Sequence, residues 1–213
     1  MARTVVVGLD RLPRWLSGFA QRNGEPLTIS VGPEVVTITS SRGGRAELAL
    51  PGVPDDVGSL DALLVHLHRP RTFACLLLRR SGFAVAHGST QGPGHRINAS
   101  KTDSRYVQGR TAAGGWSQQR FARRRDNQTR QVVDAVQRHA VRVLEGAEPQ
   151  WLVTGGDRAL LTDLLARPPL SWLAELPRDH VEIDAVRRDA VDAAVVAARA
   201  VPITVTNADD LVA

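Results

Sequence analysis

Segments with strand periodicity alternate with segments of helical periodicity along this chain, and the alternation predicts an α/β fold: a mixed β-sheet flanked by helices in three layers. Three observations carry that expectation. Apolar residues alternate with polar ones, or run together briefly, in several short segments. Leucines and valines recur at helical spacing in others. Gly155-Gly156 stands between an apolar strand-like run and a helix-like one, as where a strand turns into a helix. With 213 residues and 43% hydrophobic content, the chain can bury a core of its own, as one domain or one with a small appendage.

Residues 4–9, 27–31, 35–39 and 46–50 read as strands, the later three with alternating apolar positions. Gly32-Pro33 and Gly43-Gly44 supply the turns between those three. Residues 12–19 form a short helix carrying Trp15. These elements make an N-terminal β-rich portion, residues 1–60, expected to pack on a core domain of residues 61–213. A helix over 59–68 sets Leu60, Leu63, Leu64 and Leu67 on one face and stops at Pro70. Strands over 72–79 and 82–86 follow, turned at Arg80-Ser81.

From 87 to 117 the periodicity vanishes, and glycines at 88, 92, 94, 109, 114 and 115 mix with Ser, Thr, Asn and Arg. A loop is expected there, and loops beyond roughly 12–15 residues are usually functional or disordered. A long helix over 118–145 comes next. Val132, Val136, Ala140 and Val143 form its apolar stripe, and arginines crowd its first turns. A strand over 151–154, the glycine pair, helices over 157–166 and 183–199, and a last strand over 203–206 complete the chain.

The net charge of +5 is unevenly spread. Residues 101–130 hold eight cations against Asp103 and Asp126, a net +6, which leaves −1 for the rest. Such a block suits a polyphosphate partner, because neutralising phosphates releases counterions; a solvated helix face is the plainer alternative. Arginine outnumbers lysine 26 to 1, which favours forked phosphate contacts, although the bias runs through the whole chain. No stretch approaches the ~20 apolar residues of a membrane span, so a cytoplasmic, unanchored protein is expected. The single Cys75, inside an apolar run, is expected to be a buried small hydrophobe, and neither it nor the six histidines show metal-ligand spacing.

Two segments carry the chemistry. Lys101-Thr102-Asp103-Ser104-Arg105-Tyr106 precedes Gly114-Gly115-Trp116-Ser117-Gln118-Gln119-Arg120-Phe121-Ala122-Arg123-Arg124-Arg125. This arrangement resembles the catalytic middle domain of archaeal and eukaryotic class I release factors, where a Gly-Gly-Gln loop runs into a helix opening with an Arg-Phe-Ala-Arg-like run. It is closer still to the Vms-like release factors of ribosome quality control, in a bacterial, actinobacterial-type form. In those the motif is Gly-x-x-Gln, preceded by a Lys and an Arg-Tyr pair. Gly115 to Gln118, and Lys101, Arg105 and Tyr106, fit that pattern. The resemblance extends less specifically over residues 73–166 and implies a ribonuclease-H-like strand topology. Trp116 in place of glutamine after Gly114-Gly115 departs from stop-codon factors, and a slightly longer approach leaves Gln118 and Gln119 both open as the functional glutamine.

The resemblance implies a factor that frees nascent chains from peptidyl-tRNA on stalled large ribosomal subunits, as a monomer and without cofactor or metal. Gln118, Gly115, Gly114 and Ser117 would form its catalytic segment. Lys101, Arg105, Tyr106, Arg110, Trp116, Arg120, Arg123, Arg124 and Arg125 would contact ribosomal RNA or tRNA. The residue types suit the chemistry. A glutamine amide does not titrate near neutrality, so its role is to orient the nucleophile and stabilise developing charge. Glycines allow the backbone a close approach to RNA, and a helix N-terminus adds N–H donors and partial positive charge. Cleavage of the tRNA just upstream of its CCA end is an alternative within the same family. A metal-dependent, ribonuclease-H-like nuclease built on Asp10 is a second, although Glu34, Glu47 and Asp61 lack persuasive spacing around it. A ribosome binder without catalytic activity is a third. Nucleotide binding is not expected at either glycine pair, since neither is followed by Lys-Ser/Thr.

Overall fold

A computed structural model describes residues 2–104 and 117–211, with side-chain surroundings for 2–103 and 130–210. It forms a mixed α/β structure with two five-stranded sheets and flanking helices, divided into two compact units.

The first unit comprises Met1–Pro70, Gln91–Gly94 and Arg199–Ala213. Its strands are β1 (Arg3–Val7), β2 (Leu27–Val31), β3 (Val35–Ser40), β4 (Arg45–Ala49) and β10 (Val201–Thr206), in the order β1-β10-β4-β3-β2 with every pairing antiparallel. One face carries Val36, Ile38, Ala46, Leu48 and Ile203, all buried against Leu12, Leu16 and Phe19 of α1 (Leu12–Asn23) and Leu63 of α2 (Leu60–Leu67). Ser59 caps α2, its hydroxyl accepting from the Ala62 N–H at 3.1 Å. The expected boundary near residue 60 therefore lies at Pro70, and the last strand belongs with the first four. Val201, Ile203 and Val205 are buried while Pro202 is exposed. That one-sided pattern suits a sheet with a single covered face.

The second unit comprises Arg71–Thr90 and His95–Ala198. Its sheet runs β7-β6-β5-β8-β9, from β5 (Thr72–Arg79), β6 (Gly82–Gln91), β7 (Gly94–Ser104), β8 (Trp151–Gly156) and β9 (Arg178–Val181). β5 is antiparallel to β6 and parallel to β8, and β8 is parallel to β9, so the sheet is mixed as expected. Ala74, Leu76, Leu78 and Leu152 face α3 (Ser117–Val143) and α4 (Arg158–Leu165). Phe73, Cys75, Leu77 and Val153 face α5 (Ala190–Ala198) on the other side. Burial on both faces explains why Phe73 to Leu78 reads as a continuous apolar run.

The segment from 87 is not a loop until 104: β6 and β7 form a hairpin about Gly92-Pro93, so residues 87–91 and 94–104 are strand. One of its glycines reflects tight packing. A Cβ on Gly88 would sit 2.1 Å from the Arg96 carbonyl oxygen and 2.9 Å from the Phe73 ring. The expected loop over 105–116 lies outside the described residues. β9, too short and polar to show in the pattern, is held as Trp151 Nε1 donates to Asp179 Oδ2 at 2.7 Å. The helix expected over 183–199 begins only at Ala190.

Candidate nucleic-acid interface

β5 and β8 both end at one edge of the second sheet, β6 begins there, and β7, reached by the two-residue turn, ends there at Ser104. That carboxyl edge is where open α/β sheets generally hold their ligands. Residues 105–116 join it to the start of α3. Arg80, Gly82, Phe83, Asp103, Val132 and Ala135 line a shallow cleft beside it.

α3 has 27 residues and is about 40 Å long. Its packed stretch includes Val133, Val136 and Ala140, with Leu144 just past its end and Val132 and Val143 half-buried, so the expected stripe holds at Val136 and Ala140 and shifts by one residue at each end. Ser117, Gln118, Arg120, Arg123, Arg124 and Arg125 lie on its first turns, Gln118 about 21 Å along the axis from Val132. Arg105, Tyr106, Arg110, Gly114, Gly115 and Trp116 lie outside the described residues. Lys101 is exposed on β7.

What fixes the setting of α3 was not legible in the motif. Arg167, after α4, donates from Nη1 to Asp134 of α3 and from Nη2 to Asp163 of α4, both at 2.7 Å. Gln137 Nε2 also donates to the Pro168 carbonyl at 2.7 Å. The Asp163–Arg167 spacing of four was the available signal. Arg167→Ala should lower stability by about 1 kcal/mol, because both carboxylates are half-exposed and regain water; Arg167→Lys should restore little, since one ammonium cannot fork between them. Urea unfolding of the two variants checks this, and an intact midpoint in Arg167→Ala would contradict it.

His139 of α3 stacks on Phe83 of β6, with ring centroids 5.4 Å apart at 28°. Burial, then Lys101 and Arg142, hold its imidazole below the ordinary histidine range, against Asp103, with Arg138 adding to the effect. His180 of β9, its Nδ1 3.1 Å from the Thr154 hydroxyl, is lowered by burial first and then by Arg158. A histidine whose folded value is depressed stabilises the fold above the unfolded value near 6.5 and loses that contribution as pH falls below it. The urea midpoint should therefore drop between about pH 7 and about pH 5, and His139→Gln with His180→Gln should flatten the drop. An equally steep drop in the double variant would place the acid sensitivity elsewhere.

Cys75 is buried, and burial, reinforced by Asp192, pushes its thiol up. His95 sits on β7, not in a loop, with Nε2 2.9 Å from Asp192 and its ring edge-on to Phe73. At the Gly155-Gly156 turn, Asp157 Oδ1 accepts from the Ala159 and Leu160 N–H groups at 3.1 and 3.2 Å. The start of α4 is thus capped by its own chain. Asp10, Glu34 and Asp61 are exposed, and Glu47 is paired with Arg45 at 2.7 Å. Among the described residues no three His, Cys, Asp or Glu side chains converge as a metal would require. No described helix is long and apolar enough to cross a membrane.

Residues 71–204 match the family described as the Actinobacteria/chloroflexi VLRF1 release factor. The chain belongs to this release-factor family. The match begins at the first residue of the second unit and ends within β10. It places the protein in translation as a release or rescue factor. Among solved structures, the chain is similar to an archaeal protein at 11% identity, covering 91% of this chain and 74% of that one with a TM-score of 0.30. It is also similar to Pelota of Archaeoglobus fulgidus at 11% identity, covering 90% of this chain and 63% of that one with a TM-score of 0.28. The chain thus spans under two thirds of that Pelota. No curated protein matches at a significant level.

Proposed function

We propose that this release factor frees nascent peptides from peptidyl-tRNA on stalled large ribosomal subunits, with Gln118 as the positioning residue. The observation that supports the reading is the family match, which runs through Gly114-Gly115-Trp116-Ser117-Gln118 and the sheet and helix on either side of it. In this reading the second unit is a release-factor middle-domain of ribonuclease-H-like type, and the chain works as a monomer.

Ester cleavage needs a placed nucleophile and stabilisation of a tetrahedral oxyanion. The Gln118 carbonyl would orient a water, and its amide or the N–H groups at the helix start would donate to the developing charge. Gly114 and Gly115 let the backbone approach the tRNA end closely, with Ser117 at the first helical position. Trp116 would stack on a base. Lys101, Arg105, Tyr106, Arg110, Arg120, Arg123, Arg124 and Arg125 would bind the surrounding ribosomal RNA and tRNA. The test is to add saturating protein to large subunits bearing peptidyl-tRNA and follow freed peptide in a single turnover. Release well above the rate without protein is expected, and its absence would refute the reading.

A further inference from the structure

We propose that Arg138 and Arg142 of α3, with Lys101 of β7, form a second phosphate-binding site, one that grips an RNA backbone away from the glycine-glutamine segment. The inference rests on the ribosomal reading above and extends it to Arg138 and Arg142, outside the motif.

Arg138 and Arg142 are exposed and four residues apart, so they are neighbours on the helix surface. His139, stacked on Phe83, lies beside them. Phe83 lines one cleft with Asp103, Val132 and Ala135, which sets the end of β7 against this stretch of α3. Along β7, His95, Ile97 and Ala99 are half-buried; the alternation then breaks at Ser100 and Lys101, both exposed. Beyond the break Lys101 shares a face with Asp103. β7 runs toward the carboxyl edge and α3 away from it. Two strand residues back from Asp103 is about 6.6 Å, and four helix residues on from Ala135 is about 6 Å. Lys101 therefore falls level with His139. The field there agrees, since Lys101, Arg142 and Arg138 all bear on that ring and only Asp103 opposes them.

The occupant follows from charge. α3 carries arginines at 120, 123, 124, 125, 130, 138 and 142 against two acids, Asp126 and Asp134. Asp134 is engaged by Arg167. In contrast to Arg167, neither Arg138 nor Arg142 forms an ion pair with a described residue. A run of forked cations from the motif end of a helix to its far end matches a chain of phosphates, and a histidine held neutral among them adds no charge until an anion arrives. Bound phosphate would raise its pKa.

The test compares wild type with Arg138→Gln/Arg142→Gln, both exposed positions, for binding to purified large ribosomal subunits and to an RNA duplex of about 20 base pairs. Each is measured across a salt series. Each lost phosphate contact should flatten the log–log slope by roughly 0.7 to 0.9, so the double variant should lose about 1.5. The His139 ring signal of the wild type should also titrate at higher pH once the duplex is added. A flatter slope on the subunit supports the site and the ribosomal reading together. A flatter slope on the duplex, with no binding to the subunit, keeps the site and refutes the ribosomal reading. Slopes unchanged on both probes, with an unmoved His139 titration, overturn the site.

Discussion

Gln118→Ala should slow peptide release on the order of 10²- to 10³-fold while leaving affinity for the large subunit nearly unchanged. The scale is that of losing one preorganised polar group at a developing oxyanion. Binding survives because the arginines that follow on α3 supply the phosphate contacts and remain in place. Gln118→Glu should fail as well, since a carboxylate cannot donate and would repel the new negative charge. Gln119→Ala should do much less, because one helical residue turns the side chain by about 100°. Single-turnover release at saturating protein separates these outcomes. Full activity in Gln118→Ala, or equal damage from Gln119→Ala alone, would move the functional glutamine.

Gly156→Ala should destabilise the second unit by about 3 kcal/mol or more. Gly156 ends β8 with a φ of 98°, where L-residues are strained. A Cβ there would lie 2.3 Å from the Leu78 carbonyl oxygen, a backbone atom that cannot swing aside. That oxygen also accepts from the Asp157 N–H at 2.8 Å, so moving it loosens the turn into α4. The strand ends β5 and β8 and the helix that bears on α3 would shift together. Urea unfolding of the variant measures this, and a wild-type midpoint would show that the turn relaxes without cost.

Much of this was written in the sequence, because burial leaves a period. The strands β2 to β5 and the packed half of α3 were visible as alternation, as a continuous apolar run and as a helical stripe. The hairpin of β6 and β7 was not, for a physical reason. Its second strand lies at the sheet edge, where Arg96, Asn98 and Ser100 face water, and glycine at 88 answers close strand approach and not looseness. β9 was hidden because four residues, Arg-Asp-His-Val, pair through their backbone and through polar contacts with Trp151 and Thr154 of β8. The membership of β10 in the first sheet is a long-range pairing, such as Val5 with Ile203, which no local pattern reports. At the candidate site, the motif and its arginines were legible as types and order. The i,i+4 spacings of Asp163 with Arg167 and of Arg138 with Arg142 were legible too, but the Asp134–Arg167 contact and the Phe83–His139 stack appear only once β6, α3 and α4 are set side by side.

The most direct test of the central claim is the state of the tRNA after the reaction. Stalled large subunits carrying labelled peptidyl-tRNA are treated with the wild-type protein, and the 3′ end of the product tRNA is mapped alongside the freed peptide. Ester hydrolysis predicts free peptide and a tRNA with its CCA end intact, both lost in Gln118→Ala. A peptide still joined to CCA, with the tRNA cut just upstream, would contradict the hydrolytic account, as would cleavage that survives Gln118→Ala and is lost in Asp10→Asn.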